Sequence, residues 1–375
     1  MFTFLFPFQI MAQNSDSIHL EHKKSGMIDR IITYLSESNC PDTTKRLDIS
    51  FLGGPFYTRE SKLGLGIVAA GLYRKNPADT TKLGSQINLY GKYSITGYYK
   101  FGIDGTHFFD DGGSEQIVYD VSFESAPDKY WGIGYTSNRD DDNETAYNCR
   151  HAHVDVAFIR SIFLDNLYFG PHLIMVYINA RDITKPELWD GQRHHTFTDA
   201  IGFQIEYDTR DYKYNSREGI YFSFDQMFAP RFIGNKYAFS STEICFRTYT
   251  PAWTGAIIAI NLHSRMTYGN TPWGMMAKIG GNYSMRGFWE GRYNDKCASD
   301  FTIELRQHIY RRHGAVAWIG LGEVYDKPLK LVEGSPCFNI GFGYRWEFKK
   351  RVNVRVDCGF GKGQCGVIFN INEAF

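Results

Sequence analysis

The 375-residue chain has no excess of either charge and, beyond its first residues, no long apolar run. Lys plus Arg and Asp plus Glu are equal at 41 each, so the composition indicates no surface for nucleic acid or another polyanion. No later apolar segment approaches the ~18 residues of a membrane-spanning helix, which disfavours a helical membrane protein. A membrane β-barrel stays possible, because its alternating strands average to a polar composition.

Motifs for catalysis and for metal binding are also missing. The seven Cys are scattered without a Cys-x-x-Cys pair, which fits small apolar fillers on strands better than a zinc site. No Gly-x-Ser-x-Gly, phosphate loop or dinucleotide fingerprint occurs. His151 and His153 would share one strand face, but two ligands are too few for a metal site. We therefore predict no enzymatic activity, no cofactor and no metal.

The N-terminal part differs from the rest of the chain. Residues 1–13 are apolar and end at Ala12-Gln13, which resembles the end of a secretory signal peptide, with a buried strand as the alternative. Residues 14–46 are polar, and we expect them in the periplasm. They contain five apolar residues at helical spacing, which predicts a short helix on the inner end of a barrel or, alternatively, a partner-binding helix. These residues are Met27, Ile28, Ile31, Ile32 and Leu35.

Residues 47–375 form a succession of short alternating segments separated by turn signals. The pattern is clearest over residues 338–348, where apolar and mostly aromatic residues occupy one face and Gly, Asn and charged residues occupy the other. A soluble sandwich also alternates, but lipid outside and a polar lumen inside explain both the aromatic face and the Gly-rich face. We predict an all-β fold, a transmembrane antiparallel β-barrel. The apolar positions are Phe338, Ile340, Phe342, Tyr344, Trp346 and Phe348.

Counting back from Phe375 gives about sixteen strands, with the first at about Leu63–Lys75. Ile49–Thr58 is left over, as an extra periplasmic segment or as a replacement for that first strand. An even strand number places both chain ends in the periplasm. The count then puts the short turns on the inner side and the long loops outside. The turns are 96–97, 126–129, 253–255 and 313–314, and the loops are 137–149, 181–195 and 270–297.

One long loop, Asn270–Cys297, carries the most specific motif of the sequence. A loop of this length is usually functional or disordered, and its Gly, Met and aromatic residues do not indicate disorder. Its central residues are Met285, Arg286, Gly287 and Phe288. They resemble the Val/Ile-Arg-Gly-Phe/Tyr signature of the BamA/TamA-type outer-membrane barrels, the bacterial surface antigen family. In that family the loop folds back into the barrel and docks its Arg on the inner wall.

The strand after this loop contains Glu304 and Arg306, which resemble the family's Glu-x-Arg. Glu304 is the natural partner for an inserted Arg286, because a planar guanidinium forms bidentate bonds with a carboxylate. The family's second carboxylate, in a Phe-x-Asp-x-Gly pattern, is replaced here by Gly320. The alternative is that Arg286 is an exposed loop residue that contacts solvent or lipopolysaccharide.

Two further features resemble the same family. Residues 207–211, followed by Gly219, resemble its signature turn between two middle strands, with Asp208, Arg210 and Asp211 as the polar residues. The terminal Phe375, on an apolar strand, resembles the C-terminal signal of outer-membrane barrels. The resemblance therefore covers most of residues 47–375.

The resemblance implies an outer-membrane protein of a Gram-negative bacterium that aids insertion or translocation of proteins or lipids. The stretch before the barrel is too short for a POTRA domain, the chaperone-like module that precedes the barrel in these assembly proteins. A separate periplasmic protein is then the expected partner, beside outer-membrane lipids and lipopolysaccharide. The alternatives are a passive pore or channel and a structural barrel.

Overall fold

The computed structural model describes residues 46–73, 84–110, 113–213, 215–331, 335–349 and 351–375. The predicted signal-peptide remnant, residues 1–13, and the helix expected within residues 14–46 lie outside the described residues. No helix in the described part of the chain is long and apolar enough to span a membrane.

The described chain folds into one closed antiparallel barrel of sixteen strands, with a separate sheet of two short strands, β12 and β13, inside the longest loop. The predicted fold class is therefore confirmed. The strands in chain order are β1 Leu47–Thr58, β2 Lys62–Tyr73, β3 Ser85–Ser94, β4 Tyr99–Phe108, β5 Glu115–Tyr130, β6 Thr145–Ser161, β7 Leu167–Arg181, β8 His195–Asp208, β9 Gly219–Ala229, β10 Phe239–Pro251, β11 Ala256–Gly269, β12 Ala277–Ile279, β13 Tyr293–Asp295, β14 Cys297–Tyr310, β15 His313–Tyr325, β16 Cys337–Lys349, β17 Val352–Gly361 and β18 Gln364–Ile371. The helices are single turns in the loops, for example Tyr135–Asn138, Asp141–Asn143 and Pro186–Trp189.

The barrel begins one strand earlier than the strand count predicted. β1 pairs with β2 along its whole length, from Leu47 opposite Tyr73 to Thr58 opposite Lys62. The segment that the count left over is therefore the first strand, and the predicted first strand is the second.

The total stays at sixteen because a predicted turn is absent. Residues 126–129 are not a turn but part of β5, where Pro127 lies opposite Asn148 of β6. β4 pairs with β5 only as far as Ser125. Pro127 thus lies on a strand end that is paired on one side only, the kind of position in which proline is tolerated.

This single long strand reverses the predicted side of an earlier turn. Successive hairpins of an antiparallel barrel alternate between its two ends. We call the end with loops 131–144, 182–194 and 270–296 the loop end, and the end where β1 begins and β18 stops the terminal end. The Thr96-Gly97 turn belongs to the loop end, where Thr96 Oγ1 donates to Ser61 O over 3.1 Å. Its predicted place on the side opposite the long loops was wrong.

The two faces of the strands differ as the alternation predicts. In β16 the outward side chains of Phe338, Ile340, Phe342 and Tyr344 are 46–72% exposed. The lumen-facing side chains of neighbouring strands are buried, and many are polar. They include Glu304, Arg306, Trp318, Asn339, Arg345, Arg355 and Asp357.

The barrel closes at a weak seam between its first and last strands. Within the described residues, β1 and β18 have one pair in register, Tyr57 opposite Phe369. β1 and β2, by contrast, have twelve residue pairs in register. Because backbone hydrogen bonds hold neighbouring strands together, this seam is the least restrained junction around the wall.

Candidate functional site inside the barrel

The long loop between β11 and β14 folds back into the lumen. Its two ends pair as β12 and β13, and the segment between them carries the Met-Arg-Gly-Phe motif to the wall. Met285 and Phe288 are each 1% exposed and pack in a buried apolar cluster. The cluster also contains Ala277, Ile279, Tyr293, Ala298, Val324 and Cys337. Burial of these side chains offsets the conformational entropy lost by ordering the loop.

Arg286 lies against the inner wall and is 1% exposed. Its Nη1 donates to Asp357 Oδ2 over 2.9 Å, and its Nη2 contacts Glu304 Oε2. The guanidinium carbon stands 3.6 Å from the centroid of the Trp318 ring. Two carboxylates and an aromatic face therefore surround one cation, which is the environment that a planar guanidinium suits better than an ammonium.

The main chain of the motif is also fixed to the wall. Asn339 Nδ2 donates to Arg286 O over 2.6 Å, and Trp318 Nε1 donates to Asn339 Oδ1 over 2.7 Å. The same Trp318 ring that stacks on the guanidinium thus orients the amide that holds the Arg286 carbonyl. The hydrogen-bonded pair Trp318 and Asn339 therefore contacts both the side chain and the backbone of Arg286.

Glycine at two positions allows the loop to come this close. Gly287 has φ 103°, a left-handed value that other residues rarely adopt. On the wall opposite, a Cβ added to Gly359 would stand 1.9 Å from Arg286 O. The Gly-rich lumen face of the last strands, visible in the sequence, therefore provides the space into which the loop backbone fits.

The two carboxylates that hold Arg286 also bind other arginines. Glu304 Oε1 accepts from Arg306 Nε over 2.6 Å. Asp357 accepts from Arg345 Nη1 over 2.5 Å and from Arg355 Nη1 over 2.9 Å. The result is a buried ionic network in which each carboxylate is shared by at least two guanidinium groups.

Further contacts hold the loop to β17, to β18 and to the turn after β1. Arg355 Nη2 donates to Asn282 O over 2.8 Å. Gln364 Oε1 accepts from Trp289 N and from Arg59 Nη1, each over 3.0 Å. Arg59, in the turn after β1, also donates to Gly287 O over 3.0 Å. The loop is therefore tied to the strands on both sides of the seam.

The structure brings together the six residues proposed for loop docking, Met285 to Phe288 with Glu304 and Arg306. Sequence reasoning missed Asp357, Trp318 and Asn339. Their signal was present, because all three lie on the polar face of alternating strands. Gly320, at the family's usual Asp position, lies beside Met285, and Asp357 supplies the second carboxylate from a different strand.

The signature-turn residues lie at the terminal end, away from Arg286. Arg210 Nε and Nη2 donate to the two oxygens of Asp208 over 2.9 and 2.7 Å. Asp211 Oδ2 accepts from Arg351 Nη1 over 2.5 Å, which joins this turn to the β16–β17 hairpin. Burial raises the pKa of Asp211, but the backbone N–H of Arg217 and the Arg351 guanidinium outweigh it and hold that pKa below its usual range.

Phe375 does not continue the outward face of the last strand. β18 stops at Ile371, and Phe375 is 8% exposed, packed with Tyr249 and Ala259. Both partners are on the lumen face of their strands. Phe375 therefore does not face lipid, because the chain turns inward after Ile371.

Comparison with known proteins agrees with this architecture. The model of the Omp85 superfamily domain matches residues 79–327. The fold is similar to BamA from Haemophilus ducreyi lacking POTRA domains 1–3, with a TM-score of 0.60 and 12% identity over 87% of this chain and 70% of that one. It is also similar to CdiB from Escherichia coli, with a TM-score of 0.61 and 10% identity over 88% of this chain and 63% of that one.

CdiB from Acinetobacter baumannii has a TM-score of 0.56 and 12% identity, over 88% of this chain and 60% of that one. The chain thus spans less than two thirds of either CdiB chain. No curated protein sequence matches significantly. At such low identities these likenesses show the fold.

Proposed function

The chain belongs to the Omp85 superfamily, and we propose that it aids insertion or translocation of proteins or lipids at the outer membrane. Barrels similar to it, BamA and CdiB among them, are outer-membrane proteins of Gram-negative bacteria. The long loops then face outward, and the terminal end faces the periplasm. A separate periplasmic protein delivers the substrate.

The observation that carries this proposal is the seam between β1 and β18. With one pair in register, these strands separate at far lower cost than any neighbouring pair with a full ladder. A separated seam exposes unpaired strand edges to the bilayer, and such edges are templates for an incoming strand. The arrangement suits a protein that inserts others better than it suits a fixed wall.

The loops that pack inside the lumen argue against the alternative of a passive pore. The loop that carries Arg286 occupies the interior, and Trp189 of the 182–194 loop packs against Trp273 and Tyr130 nearer the loop end. Conduction would require displacement of buried apolar and ionic contacts.

The test is to lock the seam. In a background without native cysteines, Tyr57→Cys/Phe369→Cys would be bridged by a short bifunctional thiol reagent. The matched control is Leu89→Cys/Ile103→Cys, which bridges β3 to β4 at a fully paired position. After depletion of the wild-type protein, we expect the seam lock, but not the control lock, to reduce the amounts of other outer-membrane proteins or lipids.

Quantitative outer-membrane proteomics and lipid analysis are the measurements. Unchanged composition after depletion, together with conductance of the purified barrel in planar bilayers, would instead support a passive channel. Unchanged composition without conductance would support a structural barrel.

A further inference from the structure

The four residues that follow β18, Asn372–Phe375, leave the wall and enter the lumen at the terminal end. We call them the tail. Asn372 has φ 67°, and its N–H donates to Asn353 O over 2.7 Å. Phe375 then packs with Tyr249 and Ala259 on the opposite side of the ionic network. Beyond Asn372, side chains rather than a β-ladder hold the tail.

Two arginines of the network bind the tail. Glu373 Oε2 accepts from Arg345 Nε over 2.8 Å, and its Oε1 accepts from Asn353 Nδ2 over 2.6 Å. Arg306 Nη2 donates to Phe375 O over 2.7 Å, and the Arg306 guanidinium carbon lies 5.3 Å from the Phe375 ring centroid. Glu373 is thus the ionic anchor and Phe375 the aromatic one.

The wall and the docked loop around the tail together carry more positive than negative charge. Four buried guanidinium groups surround two wall carboxylates, Glu304 and Asp357, and Glu373 is the third carboxylate. Arg306 Nη1 and Arg345 Nη2 are buried without a hydrogen-bond partner among the described residues. Because an uncompensated buried charge is costly, this pocket attracts an anionic ligand. The four arginines are Arg286, Arg306, Arg345 and Arg355.

We propose that the pocket of Arg306, Arg345 and Tyr249 is a binding site for an acidic peptide with an aromatic residue two positions after the acid. The tail is the ligand that occupies this pocket in the structure, and it can detach. While the tail occupies the pocket, Arg286 stays docked. Without the tail, Arg345 loses Glu373 and Arg306 loses the Phe375 carbonyl oxygen, and both then compete with Arg286 for Asp357 and Glu304. The tail thus acts on the loop through shared carboxylates, although the two make no direct bond.

Peptide binding to the purified full barrel in detergent tests the site. The probe is fluorescent Asn-Glu-Ala-Phe, and the matched control is Asn-Gln-Ala-Phe. We expect the probe to bind a variant that ends at Asn372 at least tenfold more tightly than it binds the intact chain. The control peptide should bind that variant at least tenfold more weakly than the probe. Equal binding of the two peptides, or no binding, would overturn the proposal.

Protease cleavage within the 270–296 loop tests the link to Arg286. Glu373→Gln should speed cleavage several-fold, and added probe should slow cleavage of the shortened variant. The control Glu124→Gln removes a carboxylate that pairs with Lys100 and His151 elsewhere on the wall, and it should change nothing. If the shortened chain does not fold, the cleavage rate of Glu373→Gln is the deciding measurement. A rate equal to that of the intact chain would refute the link between the tail and the docking of Arg286. Neither measurement depends on an insertion activity.

Discussion

Arg286 Nη1 and Asp357 Oδ2 stand 2.9 Å apart although 71 positions separate them in sequence. One residue is in the longest loop and the other is on the last strand but one. Their bond joins the loop to the part of the wall beside the seam. Glu304, on the strand that follows the loop, contacts the same guanidinium.

The first prediction concerns this shared docking. Arg286→Ala should expose the 270–296 loop to protease, because it removes the ionic contacts and the stacking on Trp318 at once, although the backbone carbonyl that Asn339 holds remains. Loss of one partner of a buried pair typically costs about 3–5 kcal/mol, and the remaining arginines around both carboxylates reduce that cost here. Asp357→Ala should have a smaller effect of the same kind.

For loop exposure, the double variant Arg286→Ala/Asp357→Ala should be little worse than Arg286→Ala, since the Asp357 bond that reaches the loop side chain is the one to Arg286, and its bonds to Arg345 and Arg355 join wall residues to each other. Cleavage rates in limited proteolysis are the measurement. Additive effects would show that the two residues act separately.

The second prediction concerns the lipid face. Phe342→Asp places a charge on a 60% exposed outward position and should lower the fraction of heat-resistant folded barrel. The expected cost is roughly 2–4 kcal/mol near the membrane midplane. The control is Gly54→Asp on the lumen face, where an added Cβ meets no atom within 4 Å. Equal loss in both variants on semi-native gels would mean that the faces are assigned wrongly.

Gly341 is not a suitable control, although it also faces the lumen. An added Cβ there would stand 2.1 Å from the Trp318 ring, so Gly341→Asp should disturb the Arg286 site. The alternation of apolar and polar residues along a strand shows which face a glycine is on, but it does not show which side chain packs against that glycine.

The third prediction concerns the two ends of the barrel. Single cysteines at Asp141 and Gly97 should both react with an impermeant thiol reagent on intact cells, because both positions lie at the loop end. A cysteine at Thr254, in the hairpin between β10 and β11, should not react. Labelling at Thr254 alone would reverse the proposed orientation.

The fourth prediction concerns pH. In the turn after β1, Glu60 Oε1 accepts from Glu290 N of the loop over 3.4 Å. Burial, with the nearby Glu290 charge, raises the pKa of Glu60 to about 7. The folded state then binds more protons than the unfolded state between about pH 4.5 and pH 7, so stability falls as pH rises through that window.

We therefore expect the loop to resist protease better at pH 5 than at pH 8, by roughly tenfold or less in rate. Glu60→Gln should retain most of the resistance at pH 8 and lose most of the pH dependence. A variant with an unchanged pH profile would show that another group is responsible. The protease's own activity must be calibrated at both pH values, so that the cleavage rates can be compared.

The sequence by itself determined what depends on neighbouring residues. Side chains on a strand alternate with period two, so the pattern of Phe338, Ile340 and Phe342 separates the lipid face from the lumen face whatever the rest of the chain does. The Arg-Gly-Phe loop and the Glu-x-Arg strand were likewise visible, because each is a short local motif.

Only the tertiary structure decided the features that depend on the whole closed wall. The side of the Thr96-Gly97 turn depends on a count of every strand between it and the chain end, so one false turn around Pro127 reversed it. Asp357 meets Arg286, and Phe375 meets Tyr249, only once the barrel has closed and the loop and tail have turned inward. Strand number and closure set these distances, and no local pattern encodes them.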